Sequence, residues 1–515
     1  MEIEKKPFSQ IKAGATLSYF SMGLGYVIAL AYTPIMLRLL GQSEYGLYNL
    51  AASVVSYLGL LHFGFGSTYV RFYSRYKVEN EKDNIAKLNG MVLLFYLAIG
   101  LIAILAGTII VLNVEFILGD KLSGSEMDRS RILMAIMVFN IALSFPASIF
   151  NSYIIANEKY IFQKLVQMIN LILNPLIILP VLFMGYGSVG MVVVITVLNL
   201  FVNIANAVFC FRKLKIEFLF HQFDLVLMRE MIVFSSFVFI GTVIDQINWN
   251  VDKFILGRFH GTIPVAVYGL GANLNRYYLS LSYSIWSLFT PRVNRMVAAN
   301  DSDEELTNLF IRIGRVQFII LSLVLSGFIF FGRPFINMWA GTEYNETYYI
   351  TLLLIGPVTI PLIQTIGLAI QQAKNLHRFR SLVYLFIAVA NVFISIPLAR
   401  MYGGVGSALG TAISLIIGNG LIINWYYHKK VGLDIKQFWI HILKFVPSFV
   451  PPILIGIIIN IYVDLYSVML FLLCSAFYVA VFGLSLWLLG MNQYEKKLIG
   501  EPVLKIIKRF GFNKA

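Results

Sequence analysis

The sequence predicts an all-α integral membrane protein of about 14 transmembrane helices, built as two six-helix lobes followed by an extra helix pair. Three observations predict it: the composition, the placement of the basic residues and an internal repeat. Of 515 residues, 58% are hydrophobic and only 13% charged, whereas a soluble surface needs roughly a quarter of its residues charged. Apolar stretches recur from Ile11 to Gly490, each of the roughly 20 residues that a helix needs to cross a bilayer core. They lie near 12–37, 46–67, 89–112, 132–155, 161–183, 188–211, 231–256, 264–290, 309–332, 347–372, 381–399, 404–427, 438–462 and 467–490. No room remains between them for a large soluble domain.

A net charge of +14 raises the question of nucleic acid. With the N-terminus cytoplasmic, 30 of the 40 Lys and Arg residues fall in loops on that side and seven on the other. The remaining three, Lys253, Arg276 and Lys444, lie inside or at the edges of spans. That asymmetry is the positive-inside rule, so the charge reports topology with both termini cytoplasmic, and no nucleic-acid partner follows. Cys210 and Cys474 each lie in or at the end of an apolar span, and the six histidines are scattered without ligand spacing. Neither a disulfide framework nor a metal site is expected. The N-terminal segment has no small-residue cleavage site, so the first span is expected to stay as a membrane helix.

The repeat sets the organisation. At an offset of 220, Arg38, Gly41 and Tyr48 pair with Arg258, Gly261 and Tyr268. At 217, Leu165, Val166, Asn174 and Pro180 pair with Leu382, Val383, Asn391 and Pro397; at 216, Tyr186, Gly187, Val189 and Gly190 pair with Tyr402, Gly403, Val405 and Gly406. Each copy holds an even number of spans, so both enter from the same side and are related by a pseudo-two-fold axis near the membrane normal. The expected organisation is an N-lobe over 1–225, a C-lobe over 226–435, and an extra helix pair with a basic amphipathic tail over 436–515. Two such lobes with a cavity between them are the form of an alternating-access transporter.

Ionisable groups inside a bilayer cost several kcal/mol, so those within spans are the functional candidates. Asp245, Asn248, Asp252 and Lys253 share one face of the seventh span. The eighth brings Asn273 and Arg276 to a comparable depth. Arg276 offers a planar fork of donors suited to phosphate oxygens; an internal ion pair with Asp245 or Asp252 is the alternative. In the first copy, Asn49, Ser53 and Tyr57 follow one another at a spacing of four on the second span. They are placed either to bond sugar hydroxyls or to join neighbouring helices. Arg71 and Arg295 stand at the inner ends of their spans, positioned to collect an anionic head group or to anchor a helix at the lipid surface. Pro146, Gly356, Pro357 and Pro361 mark the fourth and tenth spans as bending elements. No Walker sequence, zinc motif or nucleophile elbow occurs, so no covalent chemistry is expected.

The segment from Lys12 to Tyr76, beginning KAGATLSYFSMGLGYVIALAYTPIMLRLLGQSEYGLYNL, resembles the opening of bacterial polysaccharide transporters, the Wzx-type oligosaccharide flippases. NVDKFILGRFHGTIPVAVYGLGANL is similar to the matching part of the second lobe, and the twelve-plus-two plan agrees over nearly the whole chain. The resemblance implies the fold of the multidrug/oligosaccharidyl-lipid/polysaccharide exporters. It implies a substrate of undecaprenyl-diphosphate-linked oligosaccharide, carried across the bacterial cytoplasmic membrane with its lipid tail left in the bilayer. A polysaccharide polymerase and export machinery are the implied protein partners. No cofactor is expected beyond a coupling proton or sodium ion, for which Asp245 is the candidate. A cation-coupled drug exporter of the same fold and a membrane glycan polymerase are the rival readings.

Overall fold

The structure, a computed structural model, describes residues 7–220, 224–498 and 500. Most of the expected amphipathic tail lies outside the described residues. Every described element is helical. The first half runs α1 (Pro7–Leu40), α2 (Gln42–Val55), α3 (Phe65–Val78), α4 (Lys82–Leu112), the short α5 (Val114–Leu118), α6 (Gly124–Ala156), α7 (Tyr160–Phe183) and α8 (Gly187–Arg212). The second half runs α9 (Leu225–His260), α10 (Thr262–Ala298), α11 (Asp303–Trp339), α12 (Thr347–Ile363), α13 (Thr365–Ala373) and α14 (His377–Leu415). A turn, α15 (Asn424–Tyr426), separates two π-helical stretches, and α16 (Ile435–Leu443), α17 (Val446–Tyr462) and α18 (Val468–Ser485) follow.

Among the described residues, ten helices are long and apolar enough to cross a membrane, or 12 if each of two bent pairs is one span. The two further segments expected from sequence are also helical. One is α10, whose asparagines, serines, tyrosines and Arg276 dilute its apolar content. The other is the second half of a stretch counted as one, Phe379–Val431, which turns at the non-helical Gly403. The tenth span bends as its prolines predict: α12 and α13 meet at 44°, just beyond Pro361, where a lost backbone donor weakens the helix. At Pro146, α6 instead runs on unbroken. The carbonyl of Ala142, four residues before that proline, is approached by Gly100, where a Cβ would come within 2.9 Å of its oxygen.

The repeat recurs in the backbone turns. Left-handed residues fall at matched places in both copies: Gly41 with Gly261 (φ 76° and 81°), Asn80 with Asn300 (57° and 56°), Glu158 with Asn375 (57° and 57°), Gly187 with Gly403 (57° and 57°) and Lys215 with Gly432 (51° and 87°). Such conformations cost non-glycine residues energy, so their recurrence in register is a strong sign of duplication. The copies part company in the second span. In the first copy a 3-10 segment, Ser56–His62, and the left-handed pair Phe63 and Gly64 separate α2 from α3. In the second, α10 is continuous through the matching positions.

Packing divides the chain into two units. One holds the residues up to Gly269 with Ala399–Gly404; the other holds Leu270–Leu398 and the residues from Val405 onward. In the first, α6 packs along α4 and α8, α7 lies between α1 and α8, and α9 lies on α2 and α3. The aromatic core is built from Phe65, Tyr69, Tyr96, Phe145 and their neighbours. In the second unit α11 is the axis, packed by α12, α13, α16 and α18, with Phe331, Phe445, Tyr478 and Phe482 at the centre of a second core.

Candidate functional site

In the first unit, α9 carries its charged face against α2. Asp252 is 0% and Lys253 6% exposed, with Asn248 buried beside them, a placement that costs several kcal/mol per ion unless each is paired and hydrogen-bonded. Tyr268, in the first turns of α10, meets part of that need by donating its hydroxyl to Asp252 Oδ2 at 2.5 Å. Tyr57 stands close enough to feel the charge of Asp252. Gln246 donates to the hydroxyl of Ser56, at the start of the 3-10 segment. The face is covered from Asn248 outward but open at Asp245, which is exposed.

On α2, Asn49 and Ser53 are buried and bond the local backbone, Asn49 to the Tyr45 carbonyl (2.9 Å) and Ser53 to that of Leu50 (2.7 Å). Asn49 also abuts Gly269, where a Cβ would come within 2.9 Å of its side chain. The structure thus gathers Asn49, Ser53, Tyr57, Asn248, Asp252 and Lys253 along α2, the 3-10 segment that follows it and α9. Arg71 lies apart from them on α3, exposed, with its guanidinium 4.4 Å from the centre of the Phe234 ring.

The second unit takes the rest of α10. One side of that helix is pinned: Tyr278 bonds Thr359 (2.7 Å), and Ser282 donates to the Leu362 carbonyl (2.7 Å) and accepts from Gln317 (2.9 Å). The other side carries Asn273, Arg276, Ser280, Tyr283, Ser287 and Asn294 at helical spacing. Arg276, Tyr283, Ser287 and Asn294 are exposed, and Asn273 and Ser280 are half-buried. Lipid would not solvate such a face. By contrast the exposed positions of α18 include Val468, Met469, Leu472, Leu473, Phe477 and Leu484, a surface made for hydrocarbon. The α10 face is therefore suited to a wet passage. Arg295 lies near the end of the same helix and is exposed.

Sequence reasoning missed a carboxylate clasp at the repeat corners. Ser43, after Gly41, and Thr262, after Gly261, both donate to Glu126 Oε1, at 2.6 and 2.9 Å. The acid sits where the positive ends of α2 and α10 converge. The helices touch closely there, since a Cβ on Gly46 would overlap the Thr262 carbonyl oxygen. Arg258 donates to the carbonyls of Phe116 and Ile117 (2.6 and 2.8 Å), tying α9 to the connection before α6. The signal available was the repeated Arg and Gly pairs themselves, which mark these corners without naming their acidic partner.

Residues 11–297 match the family described as polysaccharide biosynthesis protein. The "Putative O-antigen transporter" of Shigella flexneri is 19% identical over 427 residues, covering 80% of this chain and 96% of its own. Among solved structures, the lipid II flippase MurJ in an inward closed conformation aligns with a TM-score of 0.70 at 16% identity, over 92% of this chain and 97% of its own. An inward-facing multidrug resistance MATE transporter of the MOP superfamily aligns with a TM-score of 0.66 at 14% identity, over 84% and 99%. The fold is therefore that of these transporters.

Proposed function

We propose, given that this chain belongs to the polysaccharide biosynthesis protein family, that it flips a polyprenyl-diphosphate-linked oligosaccharide repeat unit from the cytoplasmic to the outer leaflet by alternating access. The unit would feed a surface polysaccharide such as O-antigen, capsule or exopolysaccharide. The observation that carries the reading is the open polar face of α10, with Arg276 at its middle, on a helix of membrane-spanning length. A phosphorylated glycan cannot cross hydrocarbon unaided, because each desolvated charge and hydroxyl is costly, whereas its polyprenyl tail is at home in lipid. A polar helix face bearing a guanidinium supplies the missing solvation and a bidentate partner for a diphosphate. The names of the relatives, an O-antigen transporter and a lipid II flippase, point to the same class of cargo.

The test replaces Arg276 in cells that depend on this gene for their surface glycan. Arg276→Ala should lower export sharply at unchanged membrane abundance, and Arg276→Lys, which keeps the charge without the fork, should recover part of it. Mass spectrometry of the lipid-linked glycan accumulating in the deletion strain identifies the cargo. Normal export by Arg276→Ala at normal abundance would remove Arg276 from the passage, and the absence of any accumulating lipid-linked glycan would overturn the function.

A further inference from the structure

A polar cavity lies in the first unit, away from the α2 and α9 faces and independent of the reading above. It has a volume of about 350 Å³, within the usual range for small-molecule sites. Its floor is Tyr73, Tyr153 and Asn89; its rim carries Lys77, Lys82 and Lys215. The floor is built and rigid. Tyr73 donates to Asn157 (2.9 Å), and Asn89 accepts from Tyr69 (2.6 Å) and donates to the Glu217 carbonyl (2.9 Å). The Leu219 amide donates to the Ala86 carbonyl (2.9 Å), so the chain leaving α8 is strapped across the start of α4 as one wall.

The rim is electrostatically unfinished. Among the described residues none of the three lysines has a carboxylate partner; Lys77 reaches the Asn157 amide oxygen (3.3 Å) and lies 5.6 Å from the centre of the Tyr73 ring. Of the nearby acids, Glu79 pairs with Arg75 and Glu81 accepts from Asn84. Glu217 also lines the cavity, which leaves its charge positive.

The second copy shows what completes such a place. There Lys374, the counterpart of Asn157, is held by Asp303 (2.6 Å) and by the Val431 carbonyl (2.8 Å). Asp303 crowds Gly432, the counterpart of Lys215, so closely that a Cβ there would overlap the carboxylate. The second copy closes the place with Asp303; in the first copy the same position holds Asp83, which does not line the cavity and among the described residues pairs with none of the three lysines, so the place stays open and basic. Lys215 moreover holds a left-handed turn (φ 51°) that Gly432 holds at no steric cost, and its gain is an ammonium at the rim.

We propose that this cavity binds a phosphate-bearing anion, which takes the part that Asp303 plays in the second copy. Lysine is a point-charge partner for phosphate. The lysines lie among the basic loops, where the phosphates of a membrane surface are found. The phosphate can belong to an anionic lipid head group or to a free phosphate compound, and both present the same charge to the rim.

The experiment uses the full-length chain purified in neutral detergent. Phosphatidylglycerol and inorganic pyrophosphate are titrated separately, against phosphatidylcholine, and followed by native mass spectrometry and by thermal midpoint. Each lysine removed should weaken binding about fivefold, so Lys82→Gln with Lys215→Gln should nearly abolish it, whereas Lys213→Gln, outside the cavity, should not. Lys215→Gly should raise the midpoint without ligand and shrink the ligand-induced rise, a pair of effects that simple misfolding does not give. Glu217→Gln should tighten binding. Retention of phosphatidylglycerol alone identifies a lipid site, and an equal effect of pyrophosphate a free-phosphate site. Equal binding by wild type and the double variant for both probes, or equal loss in Lys213→Gln, overturns the proposal.

Discussion

Replacing Glu495 by Gln should cost the second unit about 3 to 5 kcal/mol, the usual penalty for stranding one member of a buried ion pair. Arg315 is 4% and Glu495 2% exposed, and the guanidinium spends its donors in two directions. Nε and Nη2 bond the two carboxylate oxygens at 2.6 and 2.9 Å, while Nη1 reaches the His441 carbonyl (2.6 Å) and Nη2 that of Gly490 (3.0 Å). The guanidinium also lies over the Phe445 ring at 4.1 Å. One side chain thus joins α11, α16 and the segment that follows α18. Glu495→Gln keeps the volume but leaves the charge unmatched. Arg315→Met with Glu495→Met removes the stranded charge and so should lose less than the single variant. It still takes Arg315 from the part-buried carbonyls of His441 and Gly490, and so should remain below wild type. Arg315→Lys cannot reproduce the fork and should also fall below wild type. Thermal unfolding in detergent, read by size-exclusion of the heated protein, ranks the four chains. Equal stability of Glu495→Gln and wild type would refute the idea that this pair fastens the last helices to the unit.

Three further outcomes follow from the first unit. Tyr268→Phe removes the hydroxyl that Asp252 accepts at 2.5 Å and should cost about 1.5 to 3 kcal/mol, seen as a lower unfolding midpoint; an unchanged midpoint would show that the carboxylate is held by other groups. Gly46→Ala drives a methyl into the Thr262 carbonyl and should cost about 1 to 3 kcal/mol, with Gly59→Ala, where nothing lies within 4 Å, as the harmless control. Asp245→Asn should abolish the dependence of glycan export on an imposed proton or sodium gradient if that exposed acid carries the coupling ion; export that still tracks the gradient removes it from that role.

The membrane class, the helices and the duplication were legible because each is written locally or at a fixed offset. Apolar windows give the helices, and the matched glycines at 41 and 261 and at 187 and 403 give the turns. Burial along one face was not legible. Asp245 and Asp252 share a face by spacing, yet one is exposed and the other fully enclosed, because burial is decided by a different helix, α2, and by Tyr268. Arg315 is one of the 30 basic residues that the charge asymmetry places on the cytoplasmic side; its acid lies 180 residues away, and nothing in either local sequence connects them. Glu126 was invisible for the same reason, since its partners are the first residues of two helices belonging to different copies of the repeat.

The places where the copies diverge carry more functional information than the places where they agree. Shared turns are required to thread the chain twice through the same path, so they are explained by folding alone. Divergence within that common path needs another cause. At the offset of 220, Ser56 corresponds to Arg276, Asn49 to Gly269 and Ser53 to Asn273. In the first copy this stretch leaves the α-helix for a 3-10 segment, and its serine accepts from Gln246 of the second copy. In the second copy the helix continues, and the same position presents an exposed arginine. A mid-helix 3-10 stretch is a point where a helix yields at low cost, and an exposed arginine on a continuous helix is a fixed point of attraction. On the proposed transport reading, the 3-10 segment would be where the first copy bends, and Arg276 the charge that the second copy offers to an anionic cargo.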